Sequence, residues 1–363
     1  MACPVPKYHR KGMTRRADRK RCILPGKWNF CTSRTRRGEY CFSELDDDDR
    51  LVLWGFVAFA AKLYGVDLAF VFVMSNHLHI ICRAQIPEAV SLFHGHFKAQ
   101  FARYIHRKHG RTGAVWGGRF HNINLLDDEA QVRAMTYGID HGMKESLVAR
   151  SDEWHLPHTI NELCGDGWLH GVVWRRRVGE VKGEWCRIKQ RLVPLDRWAD
   201  NPAGYRTFIK QLLEERVQHY TELRAAQREG YGKLRAAYRE AGLDPDDYDL
   251  PDGRLKGIIR QHDYVPTVIK SSRGTRFRAV GPDREAELKA AREAYVAACE
   301  VYDATVASLV AGTFVGEPTL PEGYQWPTAI AAALGVGVVC STWAEIFRET
   351  EPIPPGSAWA RAG

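Results

Sequence analysis

The stretch Val71-Phe72-Val73-Met74-Ser75-Asn76-His77-Leu78-His79-Ile80-Ile81-Cys82 constrains this chain more than any other, because two apolar runs flank a short polar step. From His77 onward the residues alternate, so a strand here sets His77 and His79 on one face and Leu78, Ile80 and Cys82 on the other. The apolar face belongs in a core. The two imidazoles converge on one point, where neutral ring nitrogens can hold a divalent metal ion. Two surface histidines on a half-exposed strand have the same spacing, since a lone His-x-His is a weak signal.

Length and charge limit what that pair can serve. At 363 residues the chain exceeds one average domain, and its hydrophobic fraction of 45 % supplies core enough. The formal net charge of +8 points to a polyanionic partner, nucleic acid first, with solubility as the plain alternative. Nine cysteines (Cys3, Cys22, Cys31, Cys41, Cys82, Cys164, Cys186, Cys299 and Cys340) are scattered without a C-x-x-C pair. This argues against a zinc knuckle or a disulfide framework and for a reducing, cytoplasmic setting. The basic N-terminus lacks an apolar h-region, and Ala329 to Cys340 is too short to span a bilayer, so no membrane partner is expected.

Residues 1–24 read as a basic arm suited to phosphates. Lys27 to Ser33 alternates like a strand, and Arg34, Arg36 and Arg37 crowd the turn after it. Asp46 to Asp49 form the acidic first turn of a helix running through Leu63. Pro87 opens a second helix with an apolar stripe of Val90, Phe93, Phe97, Phe101 and Ile105. Its other face is expected to be a solvated basic surface carrying His94, His96, Lys98, Arg103, Arg107 and Lys108. His94 and His96 do not make a ligand pair, since helical residues two apart point in different directions. Val115 to Ile123, with Trp116 and Arg119, reads as a glycine-rich turn feeding a strand. Asp128, with Gln131 three residues on, marks the start of a helix to Gly142 on which Arg133, Tyr137 and His141 share a face.

Four stretches in this order carry a resemblance: Asn29-Phe30-Cys31-Thr32-Ser33-Arg34, Met74-Ser75-Asn76-His77-Leu78-His79, Trp116-Gly117-Gly118-Arg119-Phe120 and Tyr137-Gly138-Ile139-Asp140-His141. Between about Lys27 and Leu156 the chain resembles the REP-associated tyrosine transposases, a branch of the one-tyrosine HUH endonucleases. The resemblance implies an α+β, ferredoxin-like antiparallel sheet with helices on one face, spanning residues 25–165. It also implies metal ligands at His77, His79 and His141, a nucleophile at Tyr137, Mg²⁺ or Mn²⁺ as cofactor, and hairpin-forming single-stranded DNA as partner. Arg34, Arg36, Arg37, Lys98, Arg103, Trp116, Arg119 and Arg133 are the expected nucleic-acid contacts. The chemistry implied is attack of the phenol oxygen on a DNA phosphate, leaving a 5′-phosphotyrosine bond that a later strand resolves.

Two features depart from the family. It carries an amide four residues after the tyrosine, where this chain has His141, and its Asn-Pro-Val-Arg-Ala-like continuation is replaced by Gly142-Met143-Lys144-Glu145-Ser146. Tyr104 is the rival nucleophile, but it has no histidine four positions on. The alternatives are another HUH nickase (replication initiator or relaxase), a non-catalytic basic DNA-binding protein, and a metal-dependent hydrolase. The last would need further ligands that Ile80-Ile81-Cys82 does not supply.

Residues 166–363 lie beyond the resemblance and read as a mainly helical C-terminal region that clamps a hairpin, forms a homodimer, or does both. Trp168, Trp174-Arg175-Arg176-Arg177 and Trp185 suit base stacking or an ordinary surface equally. A long helix from Tyr205 is expected to break near Gly230, and another to cover Asp283 to about Val310. A last apolar helix is expected after the loop Pro318 to Pro327.

Overall fold

The computed structural model describes residues 21–175, 183–245, 252–257, 276–311, 313–314, 319–322, 324–325 and 341–353. The basic arm up to residue 20, Arg176-Arg177, residues 270–275 and the apolar segment 329–340 lie outside the described residues.

The first strand, β1 (Asn29–Arg34), leads through a short turn to helix α1 (Asp47–Tyr64). Strands β2 (Asp67–Met74) and β3 (His77–Arg83) follow, then helix α2 (Pro87–His109), strand β4 (His121–Leu125) and helix α3 (Asp128–Lys144). The main sheet has the order β2-β3-β1-β4, with all these neighbours antiparallel. This is the split βαβ arrangement of the ferredoxin-like fold, as expected.

Sequence dictates most of these boundaries. Asp46 caps α1 by accepting from the Asp49 amide, the Asp49 carboxylate accepts in turn from the Asp46 amide, and Gly65 closes the helix with a left-handed φ of 63°. Proline occupies the first turn of α2, where a missing N–H is harmless. The cap of α3 is Asp127 rather than Asp128, its side chain accepting from the Ala130 amide. Gln131 is drawn away to Asp196, which also accepts from Trp28 and Arg83 and so ties the start of α3 to the sheet.

Strand alternation divides the sheet into two faces. Leu78, Ile80, Cys82 and Cys31 face α1 and α2, which run antiparallel and are joined where Lys108 and His109 meet the buried Asp49. Phe30, Phe70, Phe72, His77 and His79 face α3. Both sheet edges are covered, a protection against pairing with other chains. Val73 and Val71 bond to Pro157 and Thr159 along the β2 edge. On the far side β4 pairs in parallel with β7 (Phe277–Arg278), a strand brought back from 150 residues downstream.

The core does not stop at residue 165. A hairpin of β5 (Trp168–Arg175) and β6 (Glu184–Arg191), edged by β8 (Glu351–Pro352), packs on the outer side of α1. Contact is backbone to backbone, since a Cβ at Gly55 would strike Val172 and one at Gly171 would strike Gly55. After the short helix α4 (Ile160–Cys164), helix α5 (Pro202–Glu240) lies on α3, where Arg216 grips Asp140 at 2.7 and 3.0 Å. The expected break at Gly230 does not occur: α5 passes through it, because glycine weakens a helix by only about 1 kcal/mol and does not block its hydrogen bonds. Helix α6 (Arg284–Ala311) is long and apolar enough by composition to cross a membrane, with only 6 % of its most apolar 18 residues buried. It docks Tyr295, Cys299 and Tyr302 on a small cluster with Phe277 and Tyr324.

The face of α2 expected to be solvated is not uniformly so. His94 is 1 % exposed and Lys98 8 %, because the Trp116–Phe120 loop folds over them: Lys98 donates to the Gly118 carbonyl and His94 stacks on Phe120. Arg21, assigned to the arm by its charge, is likewise part of the fold. Its guanidinium lies 3.8 Å from the Phe120 ring centre and bonds to Ser91 and the Phe120 carbonyl.

The glycine contacts generate a paired test. Gly55→Ala forces a methyl into backbone and is expected to destabilise by about 1–3 kcal/mol or more. Gly230→Ala, in open space on α5, is expected to stabilise by about 0.5–1 kcal/mol. Urea unfolding of both variants checks this, and equal effects would contradict the packing described.

Candidate functional site

His77 and His79 project from β3 onto the face that α3 covers, and α3 answers with His141. Gly138 permits the approach, since a Cβ there would run into the Phe70 ring. One nitrogen from each of the three histidines lies within 4.8 Å of the others. The ring centres are 4.9 Å apart for His77–His79, 4.9 Å for His77–His141 and 5.0 Å for His79–His141.

Hydrogen bonds decide which nitrogens point inward. Asn76 donates from Nδ2 to the Gly38 carbonyl, which leaves Oδ1 to accept from His77 Nδ1 at 2.6 Å. The Nε2 lone pair of His77 is therefore turned to the centre, where His141 Nε2 approaches to 2.8 Å. Thr32, opposite His79 in register, bonds its Nδ1 at 3.0 Å, and Phe30 stacks on the same ring at 4.9 Å. His79 Nε2 is buried without a partner among the described residues, as is His141 Nδ1. The inward nitrogens of His77 and His79 are held by outer bonds, that of His79 being orphaned, as an imidazole metal site requires. The donor set fits a divalent ion of borderline character.

All three imidazoles are held neutral. Burial pushes His77 and His79 well below the ordinary histidine range, aided by the neighbouring imidazoles and Arg34. His141 is lowered to about 4 by burial, with Lys144 and Arg34 adding to it. Neutral imidazole is the form that binds metal.

Tyr137 stands one helical turn before His141, its ring 5.4 Å from His141 and edge-on to His79 at 5.6 Å. At 36 % exposure it reaches solvent, while His79 and His141 are 4 % and 5 % exposed. Cations surround it. Lys144 Nζ lies 5.4 Å from the ring centre, and Arg133 is exposed one turn earlier on α3. Arg278 on β7 is lowered first by burial, then by Arg133, with Tyr137 acting in the opposite sense, which places it beside both.

The structure thus gathers His77, His79, His141, Tyr137, Arg34 and Arg133. Arg36 and Arg37 lie exposed in the turn beyond β1, against the loop that holds Trp116 and exposed Arg119. Trp116 is partly spent on structure, donating to the Lys98 carbonyl and packing on Phe42. Lys98 and exposed Arg103 belong to α2, across the sheet from the histidines. Tyr104 also lies there, between Phe56 and Phe101, its hydroxyl pushed up by burial and by Asp49. The sequence reading missed the orienting roles of Asn76 and Thr32 and the nearness of Arg278. Asn76 adjoins the histidine pair, so its position was a usable signal. Nothing local pointed from residue 278 to Tyr137.

No protein-family model matches the chain, and no curated protein does. Among solved structures, a REP-associated tyrosine transposase bound to a REP hairpin is similar at 17 % identity and a TM-score of 0.34. The match covers 45 % of this chain and 93 % of that one, and a TM-score so low carries no assignment.

The buried imidazoles make stability depend on pH. His141 and His158 are both lowered to about 4, so between 6.5 and 4 the unfolded chain binds protons that the folded chain refuses. Stability is full above about pH 6.5 and falls toward pH 4, each such group removing up to about 1.4 kcal/mol per pH unit. Urea midpoints across that range measure it, and His158→Gln is expected to flatten the slope. An unchanged midpoint from pH 7 to 4.5 contradicts the burial assigned to these rings.

Proposed function

We propose that the protein is a metal-dependent single-stranded DNA endonuclease and strand transferase of the one-tyrosine HUH type, with Tyr137 as nucleophile. One observation carries the reading: a solvent-reaching phenol lies one helical turn from a cluster of three neutral imidazoles, two of them buried, with cations nearby. A structural histidine cluster has no need of that phenol or of Arg34, Arg133 and Arg278 around it. The motifs that resemble REP-associated tyrosine transposases supply the substrate class, hairpin-bearing single strands.

His77, His79 and His141 would hold the ion, which when bound draws charge off the scissile phosphate and orients it. The cations gather the DNA backbone over Tyr137. The phenol oxygen attacks phosphorus, the bond to the 3′ oxygen breaks, and the phenol proton ends on the released 3′-hydroxyl. A 5′-phosphotyrosine bond retains the energy of the broken link, so attack by another 3′-hydroxyl rejoins DNA without ATP.

Tyr137→Phe is expected to abolish the covalent DNA adduct while leaving DNA affinity within about twofold, since it removes one exposed hydroxyl. Tyr104→Phe is expected to retain the adduct. Denaturing gels with labelled hairpin strands read both, and the reverse pattern refutes the assignment. Binding without any adduct in the wild type would favour a non-catalytic DNA-binding protein.

The third imidazole also makes a prediction about metal. Three nitrogen donors suit Mn²⁺, Co²⁺ or Ni²⁺ better than Mg²⁺, which prefers oxygen. Mn²⁺ is therefore expected to support cleavage better than Mg²⁺, and His141→Gln to narrow the difference. If His141→Ala binds Mn²⁺ as tightly as wild type and cleaves as fast, His141 is no ligand.

A further inference from the structure

The opposite face of the same two strands holds a second convergence of donors. Cys31 on β1 sits opposite Ile80, and Cys82 on β3 sits opposite Asn29, so the two thiols are diagonal neighbours, their Sγ atoms 4.0 Å apart. His94 descends on them from α2. One donor atom from each of the three lies within 4.8 Å of the others, and all three residues are buried.

His94 is the telling residue. It is 1 % exposed, and neither ring nitrogen has a hydrogen-bond partner among the described residues. Every neutral imidazole carries one N–H donor and one lone pair, so both are unmet although the ring is buried, where polar groups are normally paired. A stack on Phe120, with ring centres 3.9 Å apart, holds the ring in this position. Neighbouring His96 points elsewhere, toward Tyr64 and Phe59, so the unmet nitrogens belong to a single inward residue.

We propose that Cys31, Cys82 and His94 form a second metal site, for Zn²⁺, between the main sheet and α2. Two thiolates and one imidazole are a soft-to-borderline set that rejects Mg²⁺ and Ca²⁺. Charge selects further. Two thiolates cancel the two charges of Zn²⁺, leaving a neutral centre that burial does not penalise, with the Lys98 and Arg21 cations outside it. Binding expels both thiol protons to solvent, and the three protein donors leave one tetrahedral place for water. The ion would tie β1, β3 and α2 together directly behind the strand segment that carries His79. The absence of any C-x-x-C spacing is no obstacle, because the antiparallel register supplies the proximity that sequence does not.

The test uses full-length protein produced in cobalt-supplemented medium and purified anaerobically with its thiols reduced, Co²⁺ being the spectroscopic substitute for Zn²⁺. Thiolate-to-cobalt charge-transfer absorption is expected in the near ultraviolet, at one such ion per chain. An all-imidazole site gives no such band, so His77→Ala/His79→Ala is expected to keep it. Cys31→Ala/Cys82→Ala should abolish it. His94→Phe, which keeps the stack on Phe120 and removes both unmet nitrogens, should fold by circular dichroism yet need at least about tenfold more cobalt to develop the band. No band in the wild type, a band surviving in the double-cysteine variant, or a band that forms as readily in folded His94→Phe would each overturn the proposal.

Discussion

Gly138 lies against Phe70 with no room for a side chain, and the height of α3 above the sheet follows from that contact. Helices normally stand off a sheet by the thickness of their own side chains; here the helix descends at the residue next to Tyr137. His141, three residues on, can then reach ring nitrogens that β3 presents from below. Other contacts fix the helix along its length. Asp127 caps its start and also accepts from the Val280 and Gly281 amides, while Arg216 of α5 holds Asp140. The site is thus built on two rigid elements rather than on loops.

Its electrostatics come from the same burial. Three imidazoles crowded in a dry layer cannot share that space as cations, and desolvation decides the matter before Arg34 and Lys144 add their effect. The histidines are neutral donors while the positive charge sits outside them on Arg34, Lys144, Arg133 and Arg278. That separation suits an anionic ligand arriving from outside onto a cluster of neutral nitrogens.

Much of the fold was legible because its signals are local. Period-two alternation placed His77 and His79 on one face, acidic first turns and proline marked the helix starts, and the i, i+4 spacing put His141 beside Tyr137. What escaped is non-local. Asp127 takes the cap because it also serves the 280–281 turn, and Gln131 is claimed by Asp196 from 65 residues away. His94 and Lys98 read as surface until the Trp116–Phe120 loop covers them. Gly55 and Gly171 look like weak points in a helix and a strand until each becomes the room the other needs. Arg278 reaches the site only because β7 returns to pair with β4.

The contrast in exposure between Tyr137 and the imidazoles sets the direction of approach. His79 and His141 are sealed beneath α3, so a ligand cannot reach them through the helix; the open side is that of Tyr137 and the half-buried His77. On that path it passes the exposed Arg34 at the end of β1, Arg133 on α3 and Lys144 at the end of the same helix. A polyanion is drawn along this route, and a neutral molecule gains nothing from it. Under the proposed chemistry this explains why the nucleophile is the exposed member of the group. In that chemistry the phenol would meet the phosphate at the mouth of the site, while the buried His79 and His141 would keep the interior dry enough for electrostatic effects to be strong.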